Sequence, residues 1–168
     1  MVSLSPVTTT LTDDEFESDC EDLEDYGPDG YHPVYIGEEF KNCRYRILQK
    51  LGYGHFSTVW LAEDLQFGVS ASQPQSKFKY VALKVQRSKE THSEAALDEV
   101  QLLRELKKQK TSPSWKKDRD RLLGLGLQCT EDENYCIEML DNFPHYGPNG
   151  KHYCSVFEIM GPNLLDVI

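Results

Sequence analysis

Residues 51–59 read Leu51-Gly-Tyr-Gly-His-Phe-Ser-Thr-Val59 and stand between two extended stretches. Upstream, Tyr45, Ile47 and Leu51 share one parity, interrupted at Gln49, while Leu48 falls with Arg46 and Lys50. Downstream, Thr58-Val-Trp-Leu-Ala62 follows at once. The pattern predicts strand, glycine turn, strand. Glycines at 52 and 54 let backbone bend closely over an anion, and N–H groups exposed in such a turn can bind phosphate. Ser57, a small residue, takes the third position of a G-x-G-x-x-G pattern. Taken alone, a glycine pair in a hairpin is more often only a turn.

Further along, Tyr80-Val-Ala-Leu-Lys-Val85 predicts a short strand. Alternation puts Ala82 and Lys84 on one face. A lysine turned inward from a sheet needs an anionic partner, because an unpaired buried charge is costly. The strand by itself is equally compatible with an edge lysine in water. Ala82 is small enough to leave room for a flat ring. Thr91-His-Ser-Glu94 fits a capping box, so a helix should start there and run to about Lys108. Ala96, Val100 and Leu103 line one side of it, with Leu102 and Leu106 beside them. Acids come early (Glu94, Asp98, Glu99) and lysines late (Lys107, Lys108), as the helix dipole favours. Glu99 lies at the border of the apolar stripe. Lys84 is its candidate partner, although a helix glutamate taken alone usually faces solvent. Residues 65–79 read as a polar loop and 109–134 as an insertion with one short ordered piece, in which LLGLGL (122–127) has no evident place. Strands are expected over Tyr135–Phe143 and His152–Ile159, joined by His145–Gly150.

The formal charge of -10 has one source. Residues 1–30 hold ten acids and no Lys or Arg, whereas 31–168 hold eighteen of each sign. This argues against direct nucleic-acid binding, which needs a basic face. Residues 1–24 read as a disordered acidic tail, and the turn-rich aromatic Tyr26–Pro33 as a clip over a later surface. Five cysteines without a C-x-x-C pair suggest reduced thiols. No apolar run approaches the ~20 residues of a membrane helix, and residues 1–17 lack the basic and apolar regions of a secretory signal.

Strand, glycine turn, strand, lysine strand and glutamate helix follow one another in the order of a protein-kinase nucleotide-binding lobe. Val156-Phe-Glu-Ile-Met-Gly161 resembles the fifth strand, gatekeeper and hinge of such a lobe. More narrowly, residues 51–65 (LGYGHFSTVWLAEDL), 24–52 with their GYHPV clip, 94–103 (EAALDEVQLL) and 147–165 (GPNGKHYCSVFEIMGPNLL) resemble the SR protein kinase family. Members of that family phosphorylate serines in Arg-Ser repeats of splicing factors. The resemblance covers about Asp25–Asp166. Tyr53 departs from the Trp usual in the family, and the loop after the second strand is longer.

The resemblance implies an α+β fold, a kinase N-lobe with a five-stranded antiparallel sheet and one main helix. Its parts would be the tail 1–24, a clip 25–44 and the lobe 45–168, with insertions at 65–79 and 109–134. The backbone of Gly52, Tyr53, Gly54, His55, Phe56 and Ser57 would cover the phosphates of ATP. Leu51, Val59 and Ala82 would sandwich the adenine. Lys84 would bind the α- and β-phosphates and pair with Glu99. Phe157 would be the gatekeeper, and backbone groups of Glu158 and Met160 would hold the adenine edge. Implied partners are ATP, with Mg²⁺ in a full-length kinase, and Arg-Ser-rich proteins; the implied compartments are cytoplasm and nucleus. No H-R-D or D-F-G motif occurs, so no catalytic or metal-binding residue is expected here and the chain reads as a truncated, inactive kinase. Exposed sheet surface of a few hundred Å², at roughly 25 cal/mol per Å², would leave it marginally stable and aggregation-prone, with weak or no ATP binding. The alternative is a non-catalytic module that holds a basic partner through the acidic tail, the nucleotide site, or both.

Overall fold

A computed structural model describes residues 21–68, 78–109, 112–126 and 136–161. The acidic tail before residue 21 and most of the 65–79 loop therefore lie outside the described residues, as does the helical segment that the sequence suggests from Asn163 onward. The strands are β1 (Glu39–Phe40), β2 (Tyr45–Gly54), β3 (Ser57–Asp64), β4 (Tyr80–Gln86), β5 (Met139–Gly147) and β6 (Gly150–Phe157). They form one antiparallel sheet in the order β1-β2-β3-β4-β6-β5. Two helices, α1 (Glu90–Gln109) and α2 (Pro113–Gly124), separate β4 from β5.

The sheet has six strands where five were expected. The extra one is β1, in the clip, whose Glu39 and Phe40 pair with Arg46 and Tyr45. Its turn runs through Lys41, Asn42 and Cys43, all left-handed at φ 50°, 53° and 60°. Such turns usually carry glycine; this one has none, so the sequence holds no signal for it.

The strands alternate between two faces. On one face Tyr45, Ile47, Trp60, Ala62, Val81, Leu83, Val85, Phe143, Cys154 and Val156 form the core, roofed by Phe40 of β1 and flanked by Val34. The Tyr45 and Phe143 rings stack with centroids 5.8 Å apart. Irregular register after Ile47 and again after Lys50 ends the simple alternation of β2 and turns Leu51 out to solvent. Val59, Leu61, Ala82, Lys84, Ser155 and Phe157 belong to the other face, since they stand directly opposite one another across β3, β4 and β6.

Helix α1 covers part of that second face. Only Ala96 and Val100 of the expected stripe are buried; Leu103 is half-buried and Leu102 and Leu106 are exposed. The helix begins at Glu90, before the expected capping box. His92 N–H already donates to the Lys89 carbonyl at 3.0 Å, so Thr91 lies in the first turn instead of capping it. Within 109–134, α2 is capped by Ser112, whose Oγ accepts from Trp115 N–H at 3.2 Å, with Pro113 in the first turn. Residues 122–124 of the LLGLGL run are the end of this helix, and Leu125 and Gly126, the latter at φ 77°, make the turn that leaves it.

The β5–β6 hairpin has a tighter turn than expected, both strands being shifted toward it, with β5 starting at Met139 instead of Tyr135. Strand β5 runs to Gly147 through Pro144, which is tolerated because β5 is an edge strand. Only Pro148 and Asn149 remain for the turn, and β6 starts at Gly150 and stops at Phe157. Among the described residues no helix is long and apolar enough to cross a membrane.

Candidate functional site: a nucleotide cleft under the glycine turn

The β2–β3 turn is His55-Phe56, with Gly54 paired to Ser57 across it. An added Cβ at Gly52 or Gly54 would meet nothing within 4 Å, and neither residue has a positive φ. The chain's own packing therefore does not require glycine at either place. The open space lies where a ligand's phosphates could approach the backbone closely. The turn is held from behind: Tyr31 Oη donates to the Gly54 carbonyl at 2.8 Å, and Arg87 N–H donates to the Phe56 carbonyl at 2.9 Å.

Below the turn, Lys84 reaches from β4 to α1. Its Nζ donates to both carboxylate oxygens of Glu99, at 2.9 and 2.8 Å. Both side chains are partly exposed, at 25% and 38%, so this pair adds little to stability. Its effect is to fix a cation at a defined point facing open space. The cleft there measures about 280 Å³, with Gly54, Phe56, Ser57, Lys84, His92 and Glu99 among its lining residues. Phe56 and His92 rings lie 4.7 Å apart and bridge the turn to the first turn of α1. Partial burial, then the charges of Lys89, Arg87 and His55, hold His92 below the ordinary histidine range. Lys84, His55 and His92 thus face the same cleft, where they could meet a polyanion.

The remaining expected residues lie outside this cavity. Val59, Ala82 and Phe157 continue the same face of the sheet, Ala82 standing between Leu61 and Phe157. Phe157 is buried, as a gatekeeper would be, while Leu51, Tyr53 and Met160 are exposed. Tyr53 interacts with Lys50, whose Nζ lies 5.2 Å from its ring centroid. Glu158 is tied to the strand entrance: its N–H donates to the Glu138 carbonyl at 3.2 Å, and its carboxylate accepts from Glu138 N–H at 2.8 Å. A ligand at this edge would therefore meet the Glu158 carbonyl.

Three contributors escaped the sequence reading. Gln86 and His92 line the cleft; His92 was hidden inside the supposed capping box. Asn149, in the hairpin turn, donates to the carbonyls of Tyr26 and Tyr31, at 2.6 Å each. It thereby anchors the clip that braces the glycine turn. Two acids near the start of the described chain are engaged within it, Asp25 of the clip with Arg87 at 2.6 Å and Glu21 with Lys50.

A lysine–glutamate pair under a glycine hairpin, beside a helix packed on an antiparallel sheet, is the arrangement of a kinase N-lobe. A crystallised kinase domain superposes with a TM-score of 0.55 at 20% identity, over 82% of this chain and 30% of that one. Protein kinase dsk1 of Schizosaccharomyces pombe is 43% identical over 148 residues, 88% of this chain. The chain is homologous to the SR protein kinases. Serine/threonine-protein kinase SRPK of Physarum polycephalum is 42% identical over 92% of the chain, and human SRSF protein kinase 3 is 38% identical over 92%. No protein-family model matches the chain. The chain spans 22%, 30% and 22% of the length of these three SR protein kinase relatives.

Proposed function

We propose that this chain forms the nucleotide-holding lobe of a serine/threonine kinase of the SR protein kinase type, and that the whole protein transfers phosphate from MgATP to serines of Arg-Ser-rich proteins. The observation that carries this reading is the bidentate Lys84–Glu99 pair beneath the open backbone of Gly52–Ser57. In this reading Glu99 holds the Lys84 ammonium against the α- and β-phosphates, and the turn's N–H groups neutralise phosphate charge from above. Ala82, Val59 and Leu51 form the apolar faces around the adenine, with Phe157 closing the back. Binding and orientation are what these residues supply. Mg²⁺ would bridge the phosphates in the complete site, and its carboxylate ligands and the catalytic base are not among the motifs of this sequence. The chain alone should therefore bind nucleotide without transferring phosphate.

The test is ATP binding by calorimetry to the chain and to Lys84→Met, with Arg-Ser peptide phosphorylation measured in parallel. Binding that weakens at least about tenfold in the variant, with no turnover by either, supports the reading. Equal binding by both proteins, or Lys84-dependent turnover, overturns it. The reading in which the acidic segment holds a basic partner draws no support from Glu21 and Asp25, which already pair within the chain.

A further inference from the structure

Away from the cleft, two histidines and a glutamate converge where the clip meets the edge hairpin. His32 Nε2 lies 3.0 Å from Glu38 Oε1 and 3.2 Å from His145 Nε2, and His145 Nε2 lies 4.0 Å from the same Glu38 oxygen. Those three separations place a single point about 2.0 Å from all three atoms, the length of a Zn–N or Zn–O bond. The donors are borderline and hard, two imidazoles and one carboxylate, a set suited to zinc or a neighbouring divalent transition ion.

Without an ion, the cluster is short of protons. Each imidazole Nε2 carries one hydrogen or one lone pair, and the carboxylate carries lone pairs only. A proton on His32 Nε2 can be aimed well at Glu38 or at His145, but not at both. His32 Nδ1 is buried without a partner, so the ion-free ring keeps its proton on Nε2 beside Glu38, and an ion on Nε2 would displace that proton to Nδ1. A divalent cation would satisfy all three lone pairs at once.

The surroundings hold the three groups in place. Glu38 is oriented by Tyr35 N–H, which donates to its other oxygen at 3.0 Å. The His32 ring is confined by Gly147, where an added Cβ would lie 2.2 Å from Nδ1. Phe40 packs against both rings, with centroids 5.7 Å from His32 and 4.3 Å from His145. His32 is buried, while the side chains of Glu38 and His145 keep 23% and 20% exposure, which leaves water access for an ion and for a fourth ligand.

We propose that His32, Glu38 and His145 form a binding site for a zinc-class divalent ion that fastens the N-terminal clip to strand β5. The ligands come from segments 113 residues apart, so the ion would cross-link the two ends of the described fold. This is a structural site whose three ligands lie outside the lining of the Lys84 cleft, and it does not rest on the nucleotide reading.

The test uses the full chain with its thiols alkylated, because Cys43 and Cys136 are exposed and bind metals themselves. Zn²⁺ is titrated against a chromophoric competitor, and Co²⁺ is followed by its visible ligand-field bands. The expected result is one equivalent bound, four-coordinate Co²⁺ bands, and a melting temperature raised by Zn²⁺. His145→Gln and Glu38→Gln should each weaken binding by about tenfold or more and abolish the zinc-dependent rise. Metal-free melting establishes that each variant folds, and either folded variant suffices. No stoichiometric binding, or binding undiminished in the folded variants, overturns the site.

Discussion

Asn149→Ala should release the clip and loosen the glycine turn from a distance. The side chain donates two 2.6 Å hydrogen bonds, to carbonyls 123 and 118 residues away in sequence. Each such bond contributes about 0.5–1.5 kcal/mol net. Asn149 is only half-buried, so water can replace part of what is lost, and a total of about 1–2 kcal/mol is expected. For a chain of this size that is a fall in Tm of about 2–8 °C. The loss should be uneven. Ser88 N–H donates to the Gly30 carbonyl at 3.0 Å, and its protection depends on the docked clip. Exchange there should speed up by about 5–30-fold, whereas amides of β4 in the core should follow the global change alone. Tyr31, which holds Gly54, leaves with the clip, so ATP affinity should fall as well. Asn149→Asp keeps the shape but sets a carboxylate against two carbonyls, and should be at least as damaging. Hydrogen exchange with mass spectrometry reads the outcome. Unchanged protection at Ser88, or acceleration spread equally over all strands, would refute the idea that this residue anchors the clip.

The other predictions are simpler. Glu99→Gln should lower stability by less than about 1 kcal/mol, because the ion pair is partly exposed, yet weaken ATP binding severalfold; a urea midpoint and a binding isotherm on one preparation separate the two effects. Leu83→Ala removes a fully buried side chain at the centre of the sheet and should cost about 2–5 kcal/mol, a large share of what a small domain has, so a shift in urea midpoint within error of zero would contradict the core assignment. His92 sits below the ordinary histidine range, and a polyanion in the cleft would raise it, so the complex holds more protons than the free protein. Affinity for ATP should accordingly rise as pH falls from about 7.5 toward 6, by more than in His92→Gln; parallel pH profiles for the two proteins would dismiss a role for His92.

Much of the cleft was legible because its signals are local. Period-two alternation in residues 80–85 places Ala82 and Lys84 on one face, and helical spacing turns Glu99 toward the same side. Strand β4 and helix α1 are adjacent in the chain, so short-range geometry brings Lys84 to Glu99. The strand ends were less legible. Hydrophobicity marks where a strand is buried, whereas its limits depend on its partner: β5 continues to Gly147 because β6 pairs with it down to Gly150.

The sequence by itself determined the strand–turn–strand, the lysine strand, the glutamate helix and their order, because each follows from residue type and spacing within one element. Only the tertiary structure decided what the clip does. That Phe40 roofs the core, that Tyr31 and Asn149 brace the glycine turn, and that His32 and Glu38 meet His145 are contacts between segments more than twenty residues apart, and in two cases more than a hundred. No periodicity or motif encodes such pairings. They arise once the sheet has formed and its edges at β1 and β5 select what packs there.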